Sequence, residues 1–90
     1  MSGAFSVELT PPAIRSLDRI PPRYLGAILE FTFGALAQTP QRVGKPLGQD
    51  FEGLHSTRRG DYRVLYEIRE AERVVLVHRI DHRASVYRPR

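Results

Sequence analysis

Two clusters in this sequence combine residue types that can act on a phosphate group. The first, residues 55–63, reads His-Ser-Thr-Arg-Arg-Gly-Asp-Tyr-Arg, and the second, residues 78–88, contains histidine, arginine and tyrosine. Arginine forks match phosphate oxygens, histidine titrates near neutrality, and tyrosine can stack on a nucleobase or exchange a proton. These types suffice for RNA cleavage without a metal. In that reaction the 2′-OH attacks the adjacent phosphorus, a base takes its proton and cations stabilise the phosphorane.

Each cluster also has an ordinary structural interpretation, and the residues alone leave it open. Residues 55–63 could form a solvated hairpin in which Arg63 pairs with Glu67 or with an acid of a neighbouring strand. His78 alternates with Leu76 and Ile80, as a residue within a sheet does, and Tyr87 could pack the C-terminus against the core.

Several other chemistries lack their residues. The chain has no cysteine, which excludes disulfides, thiolate zinc sites and cysteine nucleophiles and fits a reducing cytosol. His78 and His82 would share a face only on a helix, and their segment reads as a strand, so they do not predict a zinc site. Glycine-rich nucleotide loops and a carboxylate pair for two metals are missing as well. We therefore expect no cofactor and metal-independent chemistry.

Basic residues are concentrated in the second half of the chain. The 90 residues include 13 arginines and one lysine against 10 acidic residues, for a net charge of +4. Residues 1–40 hold three basic and three acidic residues, whereas residues 41–90 hold 11 basic and 7 acidic ones. Codon usage could explain the choice of arginine over lysine but not this distribution, which indicates a polyanionic partner.

The first half of the chain predicts a strand followed by two helices. Residues 5–9 alternate apolar and polar side chains, and Thr10 is a suitable N-cap before two prolines. Apolar positions at helical spacing then predict one helix up to Pro21-Pro22 and a second through about residue 38. The first apolar stripe is Ala13, Ile14, Leu17 and Ile20; the second is Leu25, Ile28, Leu29, Thr32, Phe33 and Leu36.

The second half predicts a loop and then a sheet. Residues 41–53 are rich in glycine and proline, and strands are expected over residues 51–57, 61–68 and 74–77, with residues 83–87 as a last strand or a tail. In the middle strand Tyr62 and Val64 share one face and Arg63 lies on the other. The fold class is therefore α+β. A single domain, residues 1–90, would pack an N-terminal strand and a helical hairpin on one face of a small antiparallel-rich sheet.

Two motifs resemble the RelE/ParE toxin superfamily, and more closely a RelE-type toxin of a bacterial toxin–antitoxin pair. They are Gly-Asp-Tyr-Arg-Val-Leu-Tyr at residues 60–66 and His-Arg-Ala-Ser-Val-Tyr at residues 82–87. The Lys45-Pro46-Leu47 segment and the order of elements agree, so the resemblance covers nearly the whole chain. It implies a RelE-like fold and an mRNA interferase, an endoribonuclease that cuts mRNA in the ribosomal A site and leaves a 2′,3′-cyclic phosphate.

The resemblance also implies roles for individual residues. Arg63 matches the arginine that contacts the scissile phosphate, Arg83 the acid or leaving-group stabiliser, and Tyr87 the tyrosine that orients the nucleotide and is a candidate base. Relatives carry basic residues in the strand before the hairpin, where this chain has Leu54, His55 and Ser56. Arg58 is the expected substitute and completes the catalytic set. Further RNA-binding residues are predicted to be Lys45, His55, Arg59, His82 and Arg88.

The implied partners are a RelB-like antitoxin, mRNA and the ribosome, with operator DNA bound only through the toxin–antitoxin complex. The sequence shows neither a signal peptide nor a membrane span, so a cytoplasmic location is expected. Two other functions fit the same fold and charge. One is a ParE-like gyrase poison without RNase activity, and the other is a non-toxic co-repressor.

Overall fold

A computed structural model describes residues 4–48 and 53–82, which form one sheet covered on one face by helices. The strands are β1 (Ser6–Leu9), β2 (Lys45–Pro46), β3 (His55–Arg59), β4 (Tyr62–Arg69) and β5 (Val74–His82). The helices are α1 (Pro11–Leu17), α2 (Pro22–Phe33), α3 (Ala35–Gln38) and α4 (Pro40–Val43). The predicted α+β class is confirmed.

The five strands lie in the order β1-β5-β4-β3-β2. β1 pairs with β5 in parallel, and the other three pairs are antiparallel. The first strand therefore lies beside the last strand described, and the helices that connect β1 to β2 pack across a single face. We call this face the helix face and the opposite one the outer face.

The core lies between the helices and the helix face. Ile28 and Leu36 come from the helices and meet a buried sheet surface. Leu65 is also buried, but it does not belong to this core cluster, because its position in β4 turns it to the outer face. The sheet residues of the core are Val64, Tyr66, Val75, Val77 and Ile80.

Helix α1 is attached to the edge of β5. Thr10 caps it as predicted, since its Oγ1 accepts a hydrogen bond from the Ala13 amide at 3.3 Å. The buried Ser16 Oγ accepts one from the Ile80 amide at 3.2 Å, which holds α1 alongside β5. The prediction that Ile14 belongs to the buried stripe is wrong, because this side chain is 54% exposed.

The second helix ends earlier than predicted. α2 stops at Phe33, and Gly34, with φ −109° and ψ −95°, separates it from α3. The resulting change of direction buries Leu36 and Ala37, whereas Phe33, placed on the apolar face by sequence, is 54% exposed. Helical periodicity extended across residue 34 therefore assigned this phenylalanine to the wrong face.

The segment predicted as a loop over residues 41–53 contains regular structure. α4 runs to Val43 and β2 forms a short edge strand next to β3. The Thr57 hydroxyl donates to the Val43 carbonyl at 2.6 Å, and the Tyr66 hydroxyl donates to the Pro40 carbonyl at 2.7 Å. These two long-range hydrogen bonds, invisible in the local sequence, order the segment.

A β-bulge in β5 changes which residues face the core. Leu65 lies opposite Arg79, but the next residue, Tyr66, lies opposite Val77, so His78 is the extra residue. Val77 and Ile80 consequently both reach the core. The sequence predicted that Leu76, His78 and Ile80 share one face of the strand. This prediction is wrong for Ile80, whose side chain lies in the core. The strand itself continues to His82, well beyond the predicted end at residue 77.

No helix in residues 4–48 and 53–82 is long and apolar enough to cross a membrane.

Candidate functional site

The β3–β4 hairpin places the first sequence cluster at one end of the sheet. Its turn is formed by Gly60 and Asp61, with Arg59 paired to Tyr62. Gly60 has φ +63°, the left-handed conformation that the first position of a type II′ turn requires and that glycine adopts without strain. The predicted hairpin is confirmed, and its register determines which face each arginine occupies.

A row of charged residues crosses the outer face beside this turn. Arg58 of β3 lies directly opposite Arg63 of β4, and Arg63 lies opposite Asp81 of β5. Opposed residues of an antiparallel pair share a face, with Cβ atoms about 5 Å apart. The helix-face positions of Tyr62 and Val64 therefore leave Arg63 on the outer face, as predicted. Arg58 is exposed and Arg63 is half-buried. We call Arg58, Arg63 and Asp81 the first row.

The neighbouring row brings two more cations to the same face. It runs from Lys45 through Ser56 and Leu65 to Arg79. Lys45 is exposed, whereas Ser56 and Leu65 are buried. Ser56 therefore occupies this row beside Lys45, whereas the preceding residue, His55, lies opposite Tyr66 on the helix face. We call this the second row.

Arg79 and Asp81 form an ion pair that joins the two rows. Arg79 Nη2 donates to Asp81 Oδ2, and their side chains are 19% and 7% exposed. A carboxylate so little exposed needs a charged partner, and Arg79 supplies it. The sequence interpretation did not select Arg79. Regular alternation would have put it on the same face as Val77, and only the bulge turns it outward.

Three of the predicted RNA-binding residues lie on the helix face, namely Arg59, His82 and His55. Arg59, Tyr62 and His82 form one cross-strand row, and the Tyr62 and His82 rings meet edge to face at 5.7 Å. The Arg59 guanidinium lies over the Phe31 ring at 5.6 Å. A groove of about 470 Å³ is lined by Arg59, Tyr62 and His82 together with Tyr24. Arg59 and His82 therefore do not join Arg58 and Arg63.

His55 is the third of these residues. It lies opposite the buried Tyr66, and the two rings are 5.5 Å apart. Burial raises the pKa of Tyr66 to about 12, and its hydroxyl is occupied by the Pro40 carbonyl. Tyr66 is consequently a structural residue without the properties of an acid or base near neutrality.

Glu67 holds a small ion cluster farther along β4. His78 Nε2 lies 3.2 Å from Glu67 Oε1, and Arg69 Nε donates to Glu67 Oε2 at 3.2 Å. The hydrogen bonds from His78 and then Arg69 lower the pKa of Glu67. The proposed ion pair of Arg63 with Glu67 is not formed, because Glu67 is engaged by these two residues and Arg63 lies opposite Asp81.

The remaining predicted residues lie outside the described part of the chain. They are Arg83, Tyr87 and Arg88, together with the alternative of a last strand or tail over residues 83–87. Their roles stay predictions. Arg83 directly follows His82, the last residue of β5.

The outer face has the composition of an anion-binding surface. Its two rows carry Lys45, Arg58, Arg63 and Arg79, with Asp81 as their one acidic member. Arginine forks bind phosphate oxygens through paired hydrogen bonds, and partial burial strengthens such contacts. Among residues 4–48 and 53–82, no three histidine, aspartate or glutamate side chains are grouped to hold a metal ion.

Comparison with known proteins gives concordant matches. A family model described as the ParE toxin of the type II toxin–antitoxin system parDE matches residues 7–87. Toxin RelG of Mycobacterium tuberculosis is 48% identical over 84 residues, which are 93% of this chain and 97% of that protein. Toxin RelE of the same organism is 46% identical over 84 residues, or 93% of this chain and 87% of that protein.

A solved structure shares the fold. The match is in the toxin–antitoxin complex RelBE2 from Mycobacterium tuberculosis, with a TM-score of 0.85 and 46% identity. It covers 88% of this chain and 98% of that chain. The similarity therefore extends over the sheet and the helices that pack on it.

Proposed function

The chain belongs to the ParE toxin family of type II toxin–antitoxin systems and is RelE-like, and on this basis we propose that it is an endoribonuclease that cleaves mRNA in the ribosomal A site. The observation that carries the proposal is the opposition of Arg58 and Arg63 on the outer face. Two guanidinium groups brought together at adjacent positions repel each other, and a phosphate between them would relieve that repulsion.

In the proposed reaction the 2′-OH attacks the neighbouring phosphorus. The 2′-oxygen–phosphorus bond forms, the phosphorus–5′-oxygen bond breaks, and the products are a 2′,3′-cyclic phosphate and a free 5′-OH. Arg63 holds the non-bridging oxygens and, with Arg58, stabilises the negative charge that grows on them. Arg58 in this way replaces the basic residues that relatives carry in the preceding strand.

Arg83 and Tyr87 complete the scheme as proposals carried by the family resemblance. Arg83 would donate a proton to the leaving 5′-oxygen or stabilise its charge, and Tyr87 would stack on and orient the nucleotide. Tyr87 is also the candidate for the base that accepts the 2′-OH proton. The ribosome would hold the mRNA in place, because a net charge of +4 supports only weak, salt-sensitive binding of free RNA.

We further propose a RelB-like antitoxin as the partner. The 46% identical chain of known structure comes from a toxin–antitoxin complex. An acidic segment lying across the two rows would cover the arginines and block access of mRNA. Operator DNA would be bound through that complex, and the toxin would act in the cytoplasm where mRNA is translated.

The decisive experiment induces the protein without antitoxin and maps mRNA 5′ ends. New ends inside translated frames, lost in Arg63→Ala and retained in Arg42→Ala, would support the proposal. Arg42 is a suitable control because it is an exposed arginine of α4 outside both rows. Cleavage of ribosome-bound but not free mRNA by the purified protein would establish the ribosome requirement.

The match to a ParE model favours one alternative, a gyrase-inhibiting toxin without RNase activity. Intact mRNA together with trapped gyrase–DNA complexes after induction would support that function and exclude ours. Normal growth after induction would instead indicate a co-repressor.

A further inference from the structure

A second concave site lies where α1 packs beside the C-terminal part of β5, beyond its pairing with β1. Arg15, Arg19 and Arg79, together with Pro12, line a cavity of about 390 Å³. Among residues 4–48 and 53–82, its lining includes none of those predicted to act on RNA. We call it the α1–β5 pocket.

The geometry of α1 explains why these side chains meet. Pro12 and Arg15 lie three residues apart on one face of α1, and Arg19 follows in the turn just beyond the C-cap Asp18. Ala13 and Ser16 are buried, and Ser16 accepts the hydrogen bond from Ile80 that holds α1 against β5. Arg15 on α1 and Arg19 just after it therefore adjoin the outer-face side of β5, where Arg79 projects.

Within residues 4–48 and 53–82, two of the three arginines of the pocket have no acidic partner. In the part of the chain that the structure describes, the guanidinium groups of Arg15 and Arg19 have neither an ion pair nor a hydrogen bond, and both side chains are exposed. Of the three arginines, Arg79 is the one that is ion-paired within the described residues, and its partner is Asp81. The C-terminal end of α1 favours a nearby cation such as Arg15, but this effect does not account for three arginines around one cavity, since like charges close together repel.

We propose that the α1–β5 pocket binds a second backbone phosphate of the RNA that occupies the outer face. This inference rests on the proposed function and extends it to a substrate-binding site on α1. Its support is continuity with the candidate site. Arg79 belongs to the second row, and two residues farther along the same strand, roughly 7 Å away, Asp81 lies opposite Arg63. One strand of RNA can therefore contact the first row and then the pocket.

Binding of a non-cleavable RNA tests this site apart from catalysis. The probe is a short, fluorescent 2′-O-methyl oligonucleotide, which keeps its phosphates but lacks the attacking hydroxyl. Its affinity for the full chain is measured against salt concentration. Replacing Arg15 and Arg19 with glutamine should lower the slope of log K against log salt by about 0.7, the value for one lost phosphate contact on a single strand.

The matched control is Arg23→Gln/Arg42→Gln, which removes two exposed arginines elsewhere on the helices. It should leave the slope close to that of the parent protein. Equal losses in both double variants would show that only net charge matters and would overturn the inference. The inference would also be overturned if replacing Arg15 and Arg19 weakened the binding of duplex DNA or of the antitoxin but left RNA binding unchanged.

The outcome separates this site from the proposed function. mRNA cleavage in cells with no specific change of slope would refute the pocket and leave the nuclease intact. A specific change of slope in a protein that never cleaves mRNA would preserve the pocket as an RNA contact and refute the nuclease.

Discussion

Arg58 and Arg63 lie directly opposite each other across the β3–β4 ladder, on the outer face of the sheet. Opposed like charges destabilise a sheet, so this arrangement costs folding free energy. Removing either arginine should therefore impair function without impairing the fold.

The first prediction concerns this pair. Arg63→Ala should lower the rate of mRNA cleavage on the order of 100-fold, because it removes a donor to the charge of the transition state. The free energy of unfolding should change by no more than about 1 kcal/mol, because the loss of repulsion from Arg58 offsets the loss of the other contacts of the half-buried Arg63. Single-turnover cleavage on purified ribosomes and urea denaturation measure the two quantities. Full activity in a folded Arg58→Ala/Arg63→Ala double variant would contradict the proposed chemistry.

The second prediction concerns Arg79 and Asp81. Arg79→Ala leaves a carboxylate that is nearly buried without its observed ion-pair partner. We expect it to lower the free energy of unfolding by about 3 kcal/mol in urea denaturation, near the lower end of the range for broken buried pairs because Arg79 keeps some exposure. Arg42→Ala, at an exposed position, should change stability by less than about 0.5 kcal/mol. Equal effects of the two variants would mean that the pair contributes nothing.

Tyr66 provides the third prediction. Tyr66→Phe leaves the Pro40 carbonyl without its hydroxyl donor and should destabilise the fold by about 1–3 kcal/mol at neutral pH. The pKa of this phenol is raised to about 12 in the folded protein, so unfolding releases a proton between the ordinary pKa and that value.

The stabilisation linked to neutral Tyr66 is therefore complete below about pH 10 and is lost as the pH rises toward 12. The difference in free energy of unfolding between the parent and Tyr66→Phe should shrink over this interval. A difference that stays constant through it would argue against a buried, protonated phenol.

The fourth prediction follows from the lowered pKa of Glu67. A carboxylate whose pKa is lower in the folded state stabilises the protein fully above its unfolded pKa and loses that effect as the pH falls through the folded value. Because Glu67 is one-third exposed, Glu67→Gln should cost only about 0.5 kcal/mol at pH 7. The difference in stability between the two proteins should begin to shrink as the pH falls below the unfolded-state pKa of about 4.3 and should vanish below the lowered folded-state pKa, as followed by thermal unfolding across the acid range. If the difference in stability between the two proteins grew as the pH fell, folding would raise the pKa of Glu67 instead of lowering it, which would contradict the prediction.

Two glycines of the helical layer give the fifth prediction. A Cβ on Gly26 meets nothing within 4 Å, so Gly26→Ala should stabilise α2 by about 0.5–1 kcal/mol. A Cβ on Gly34 would lie 2.7 Å from the Glu30 carbonyl oxygen, so Gly34→Ala should destabilise the break between α2 and α3. Thermal unfolding of the two variants should give shifts of opposite sign, and stabilisation by both would show that the break is not required.

The local sequence determined those features that depend on neighbouring residues. Thr10 and the following prolines specify the start of α1, and Gly60 permits the hairpin turn. Side chains alternate along a strand, so the order Tyr62-Arg63-Val64 already separates the core face from the outer face. The motif around Arg63 also indicated the family, which the comparisons confirm.

Tertiary structure decided what depends on partners distant in the chain. The bulge at His78 arises from the pairing of β5 with β4, and it alone turns Arg79 toward the outer face beside Asp81. The change of direction at Gly34 buries Leu36 and leaves Phe33 exposed, against the helical periodicity. Likewise the α1–β5 pocket depends on contacts such as the hydrogen bond of Ser16 with Ile80, 64 residues later in the chain, that hold α1 beside β5. Local periodicity carries no information about a ladder register or a helix docked on a strand edge, because both are settled by packing energy summed over the whole fold.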